Sequence, residues 1–146
     1  MSDHDSVVAR ISAAYEKKGF RVKSRGNNLP YGSKRIDAIY RPDLLIKEPA
    51  NHQIVNIVEV ETSEAGKTVV GAAVLADTCM QIEIEKGRQQ EKPTLIFIFY
   101  RQSANLKLGK KRIAQLTRQN RIRHLTDVLI MTEKEVLKEI PQRVTI

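Results

Sequence analysis

In 146 residues the chain has one cysteine, no tryptophan and only 5% aromatic residues, and these shortages narrow what it can be. A lone thiol, Cys79, cannot form an internal disulfide, and among Ala, Leu and Met it reads as a small core residue. The three histidines, His4, His52 and His124, are scattered without ligand spacing, which speaks against a structural zinc site. A nucleophile elbow and a plausible base for a serine or cysteine hydrolase are also missing. Long apolar runs are absent. Thr94 to Tyr100 falls far short of the roughly 20 residues a membrane-spanning helix needs, so no membrane association is expected. The start, Met1-Ser2-Asp3-His4-Asp5, is acidic and polar where a secretory signal is basic and then apolar, so the expected location is cytoplasmic.

Acidic residues are missing from one stretch in particular. Residues 1–100 carry 14 Lys/Arg against 13 Asp/Glu, whereas 101–146 carry 11 against 4, so most of the net charge of +8 lies in the last third. From Arg101 to Thr126 there are eight basic residues and no acidic one: Arg101, Lys107, Lys110, Lys111, Arg112, Arg118, Arg121 and Arg123. A solubilising face ordinarily carries some Asp or Glu as well. The pattern therefore points to a polyanion, because each phosphate that is neutralised releases counterions.

What is present is the composition of a globular domain, 41% apolar and 29% charged. A chain of this length folds as one domain, residues 1–146, and buries roughly 70% of the surface it exposes when unfolded. Apolar positions at Val7, Val8, Ile11, Ala14 and Tyr15 predict a helix over 6–18 that Gly19 ends. Phe20 to Lys23 alternates as a half-buried strand does, and a loop rich in Gly, Asn and Pro follows from Ser24 to Ser33. Ile36 to Tyr40 reads as a short extended piece. Pro42 suits a strand start, Leu44 to Ile46 is the strand itself, and residues 49–52 turn the chain. Ile54 to Val60 is dense in β-branched residues and apolar on both faces, hence a central strand. A helix over about 66–86 carries Val69, Val70, Ala73, Ala76 and Met80 on one stripe. Then come a buried strand at 94–100, a basic helix at about 106–119 with Leu108, Ile113 and Leu116, and a strand at 127–131. A last short helix is capped by the Thr-x-x-Glu box from Thr132 to Glu135. The order α-β-β-β-α-β-α-β-α predicts an α/β fold on a mixed sheet.

Within that order three carboxylates stand out. Glu59 and Glu61, two apart at the end of a strand, leave the same face about 6–7 Å apart. Asp43 begins the preceding strand, so a hairpin through residues 49–52 would bring all three to one sheet edge. Anions held so close repel one another, and a cation between them relieves this. Mg²⁺ or Mn²⁺ fits such oxygen donors, with the Val60 carbonyl as a further ligand, and polarises a phosphoryl oxygen as phosphodiester hydrolysis requires.

Pro42-Asp43-Leu44-Leu45-Ile46, the sixteen residues from Asp43 to Glu59, and Glu59-Val60-Glu61-Thr62-Ser63 together resemble the PD-(D/E)xK signature of the restriction-endonuclease-like nucleases. That superfamily shares an α-β-β-β-α-β core, which the order matches as far as Tyr100; the remainder would be a C-terminal α-β-α extension. The strand ending in Glu-Val-x-x-Ser is similar to that of the archaeal Holliday junction resolvases. The resemblance implies that Asp43 and Glu59 are metal ligands, that Val60 binds through its carbonyl, and that the protein is a DNA endonuclease and a homodimer. Where the family usually has Lys, this chain has Glu61, which supplies no positive charge; some restriction enzymes carry Glu here as a base or a second ion's ligand. The acidic residue often found in the family's first helix has Glu16 as its counterpart, late in the helix, where a solvated glutamate is the ordinary reading. Arg25, Lys34 and Arg35 are candidates for holding phosphates near the site, and Lys110, Lys111, Arg112, Arg118, Arg121 and Arg123 for extending that track.

Two rival readings stand beside this one. Gly66-Lys67-Thr68 mimics the end of a phosphate-binding loop, but the Gly required five residues earlier is Glu61, which would repel the phosphates. The stronger rival is an inactive nuclease fold that binds nucleic acid or a protein partner, with Glu59 and Glu61 as a solvated strand end.

Overall fold

The computed structural model describes residues 2–24, 40–62, 66–101 and 106–141. Helix α1, Asp3–Lys17, starts at Ser2, whose side chain accepts from the Asp5 N–H while Asp3 and Asp5 place negative charge at the helix's positive end. Val7, Ile11 and Tyr15 recur every four residues and form its buried stripe, and Gly19 at φ 98° ends it in a left-handed conformation open to glycine. Strand β1, Arg21–Ser24, pairs antiparallel with β2, Leu44–Lys47, which pairs antiparallel with β3, Ile54–Glu61. The turn between β2 and β3 is closed by the Glu48 N–H donating to the Gln53 carbonyl at 2.9 Å. Helix α2, Gly66–Glu85, then returns the chain so that β4, Thr94–Phe99, lies parallel to β3. Helix α3, Leu106–Arg118, does the same for β5, Asp127–Met131. Helix α4, Glu133–Glu139, closes the described chain behind the capping box of Thr132 and Glu135.

Among the described residues this is an α/β fold: a five-stranded mixed open sheet, ordered β1-β2-β3-β4-β5, with four helices. Strand β3 is central and buried on both faces, as its run of β-branched residues requires. Alternation splits the core in two. Leu45, Ile57, Leu95, Phe97 and Ile130 face α2 and α3, whereas Leu44, Ile46, Val58, Ile96 and Ile98 pack with Val7, Ile11 and Tyr15 of α1 and with Val136 of α4. Each such Leu, Ile or Val contributes roughly 1.5–3 kcal/mol by leaving water. Cys79 is buried with α2, as its neighbours foretold.

Leu108, one of the apolar residues among the basic ones of α3, is 36% exposed. At about 100° per residue it lies roughly 140° around the helix from the buried Ile113, on the solvent side. Gly109 takes the inward place instead. Most of the extended piece expected at 36–40 lies outside the described residues. Among those described, no helix is long and apolar enough to cross a membrane.

Two buried polar side chains act as staples at the amino edge of the parallel strands. Gln89 accepts from the Ile54 N–H and donates to the carbonyls of Ile54 and Glu91, at 3.1, 2.8 and 2.7 Å. Asp77, on α2, accepts from the backbone N–H groups of Arg123 and His124 at 2.8 and 2.6 Å. That contact orients the segment that feeds β5.

Candidate functional site

The carboxyl ends of β3, β4 and β5 lie along one edge of the sheet, where open α/β sheets commonly hold ligands. Strand β2 runs the other way, so its beginning lies beside the end of β3, with Leu44 opposite Val58. The same antiparallel turn-about sets the start of α1 at this edge. The result is a cleft of about 350 Å³ lined by His4, Arg41, Asp43, Glu59, Val60, Glu61, Thr62 and Tyr100.

Asp43 is held from two sides. One carboxylate oxygen accepts from the Val60 N–H at 2.8 Å, and the same oxygen lies 3.2 Å from Nε2 of His4. Its own N–H donates to Oε1 of Glu59 at 2.9 Å, so the two acidic residues are joined through the backbone. Both are largely buried, Asp43 at 7% and Glu59 at 9% exposure. Burial pushes the Glu59 carboxyl up to about 8, reinforced by the charge of Asp43 and only partly offset by the hydrogen bond from the Asp43 N–H. The fold therefore opposes ionisation of Glu59. The Glu61 carboxyl is also raised, first by burial and then by Asp43, while His4 pulls it back. Burial by itself lowers the His4 imidazole, but the Asp5 hydrogen bond at 3.0 Å and the nearby Asp43 outweigh it and raise it.

Behind Glu59 stands Tyr40. Its hydroxyl is buried, and burial followed by the charge of Glu59 pushes its pKa well above the usual value. It nevertheless completes no hydrogen bond, being the one buried side-chain polar atom without a partner among the described residues. Glu59 is near enough to act on the hydroxyl, although no hydrogen bond of ordinary geometry joins the two.

These donors fit a hard divalent ion better than a soft one, since Asp43, Glu59, Glu61 and the Val60 backbone offer oxygen alone. Among the described residues no group of three or more His, Cys, Asp or Glu side chains is placed to hold a metal ion. Mg²⁺ does not require such a group, because it usually keeps several waters and takes one or two carboxylates.

The four residues expected at the acidic centre, Asp43, Glu59, Val60 and Glu61, thus share one cleft. The basic candidates among the described residues do not gather there. Lys110, Lys111, Arg112 and Arg118 lie along α3, which runs back from the cleft edge for 13 residues, about 20 Å. Lys110, near the helix start, acts on Glu135 at the start of α4, whereas Arg121 and Arg123 follow the far end of α3, by the amino edge of the strands. Arg25, Lys34 and Arg35 lie outside the described residues. Glu16 is exposed in the last turn of α1, far from the first-turn His4.

Sequence reading passed over His4, Arg41, Tyr40 and Tyr100. Arg41 had a signal, since it stands two residues before Asp43 and an extended chain sends such positions the same way. His4 had none, because only the packing of α1 brings its first turn to β2. No protein-family model, curated protein or solved structure matches the chain in comparisons with known proteins.

Proposed function

We propose that the cleft is the active site of a divalent-metal-dependent endonuclease that hydrolyses DNA phosphodiester bonds, and that the sheet belongs to the restriction-endonuclease-like arrangement of the PD-(D/E)xK nucleases. The observation that carries this reading is the convergence of Asp43, Glu59 and Glu61, from two strands, into one cleft at the carboxyl edge of the sheet. In this reading Asp43, Glu59 and the Val60 carbonyl hold Mg²⁺ or Mn²⁺, which when bound supplies Lewis acidity and lowers the pKa of a coordinated water. The chain's own residues have separate tasks. The Val60 N–H and His4 orient Asp43, and Glu59 would hold the ion as a carboxylate, its proton having gone to solvent. Glu61, less buried than Glu59 and also raised, is the proposed acceptor of the attacking water's proton. Cutting both strands of a duplex would engage two clefts, hence a homodimer.

The test is cleavage of supercoiled, linear and branched DNA in Mg²⁺, Mn²⁺ or EDTA. The parent should cut only with the ion, and Asp43→Ala and Glu59→Ala should not cut; if both cut as well as the parent, the site is wrong. A second reading, a fold kept for binding nucleic acid or a protein, is favoured by one observation: Glu59 is turned inward onto the Asp43 N–H, while Glu61 stands where a cation is usual. It predicts DNA binding with steep salt dependence and no cleavage in any ion.

A further inference from the structure

Among the described residues two side chains able to carry positive charge line the acidic cleft, His4 and Arg41, and they differ in what they do there. The His4 ring is engaged on both nitrogens, with Asp5 and Asp43. Arg41 is exposed and forms no ion pair or hydrogen bond with any described residue, although it shares the cleft with three carboxylates. A guanidinium fork pairs readily with a carboxylate, so an unpaired one in an acidic cleft keeps its donors free for another oxyanion.

Backbone chemistry sets its position. A residue before proline is held to extended conformations and proline fixes its own φ, so the backbone that carries Arg41 at the rim of the cleft has little freedom. The electrostatics give this placement a use. The acidic cleft offers a phosphodiester no attraction of its own, since Asp43 stands in it and Glu61 supplies no positive charge where one would help. We propose that Arg41 is a substrate-binding residue, its guanidinium holding the non-bridging oxygens of the phosphodiester beside the carboxylates. This rests on the nuclease reading of the same cleft.

The experiment compares the parent, Arg41→Gln, Arg41→Lys and Asp43→Ala on one fluorescein-labelled duplex. Cleavage is followed in Mg²⁺, binding in EDTA over a salt series, and folding by urea midpoint. Arg41→Gln should slow cleavage on the order of 10- to 100-fold, as for a lost charge-assisted hydrogen bond, and should take about one from the slope of log K against log salt. Its urea midpoint should stay at the parent's. Arg41→Lys should restore the salt slope, since the charge remains, but not the full rate, since the planar fork is gone. If Arg41→Gln cuts and binds as the parent does while Asp43→Ala is inactive, the proposal is overturned and the reading of the carboxylates stands. If Arg41→Lys loses as much salt slope as Arg41→Gln, or if the lost rate tracks a lowered urea midpoint, the phosphate role is likewise overturned. Cleavage by Asp43→Ala at the parent rate would remove the nuclease reading of the cleft, and this proposal with it.

Discussion

Replacing Glu59 by glutamine keeps the shape of a nearly buried side chain and the acceptor for the Asp43 N–H, while removing a group whose ionisation the fold opposes. The carboxyl titrates near the ordinary 4.5 when unfolded and at about 8 when folded, first because of burial and then because of Asp43. Below pH 4.5 both states hold the proton and Glu59 contributes no penalty. Between 4.5 and about 8 the folded chain keeps a proton that the unfolded chain has released, so stability falls as pH rises; above about 8 the full penalty stands. At about 1.4 kcal/mol per pKa unit the penalty amounts to roughly 3 kcal/mol at pH 7 and roughly 5 kcal/mol at pH 9. Glu59→Gln should therefore be more stable than the parent without divalent ions, by a margin that is small near pH 4.5 and widens with pH. Urea unfolding followed by circular dichroism at about pH 5, 7 and 9, in EDTA, measures the margin directly. A margin that is constant with pH, or largest at pH 5, would refute the argument that burial and Asp43 hold a proton on Glu59.

Tyr40→Phe removes a buried hydroxyl that has no partner, so it should leave stability unchanged or raise it by up to about 1 kcal/mol in urea unfolding; a loss above that would mean the hydroxyl is bonded. Asp77→Ala leaves two backbone N–H groups ahead of β5 without their acceptor and should cost roughly 2–4 kcal/mol, with faster amide exchange at Arg123 and His124 than elsewhere. For the proposed DNA contact, Lys110→Gln with Lys111→Gln, towards the cleft end of α3, should weaken duplex binding more than Arg121→Gln with Arg123→Gln beyond its far end. Equal losses in fluorescence anisotropy would mean that the track does not start from the cleft.

Much of the fold is legible in local pattern because its segments are locally consistent. The four-residue recurrence of Val7, Ile11 and Tyr15, the two-sided apolar run of β3, and the Thr132 capping box each specify their element with little help from distant residues. Leu108 shows where this ends: whether an apolar residue among basic ones is buried depends on which face of α3 packs against the sheet.

The acidic centre divides along the same line. The sequence by itself placed Asp43 ahead of one strand and Glu59 at the end of the next, so that a hairpin brings them to one sheet edge, and strand alternation set Glu61 on the side of Glu59. The register shift between Ile46 and Lys47, which puts Leu44 opposite Val58, was decided by the fold. Only the tertiary structure decided how each carboxylate behaves. Burial depth, the backbone N–H groups of Asp43 and Val60, the first turn of α1 that brings His4 in, and the partnerless Tyr40 hydroxyl come from segments far apart in the chain. Desolvation and charge coupling depend on all the atoms around a group, so no window of sequence contains them.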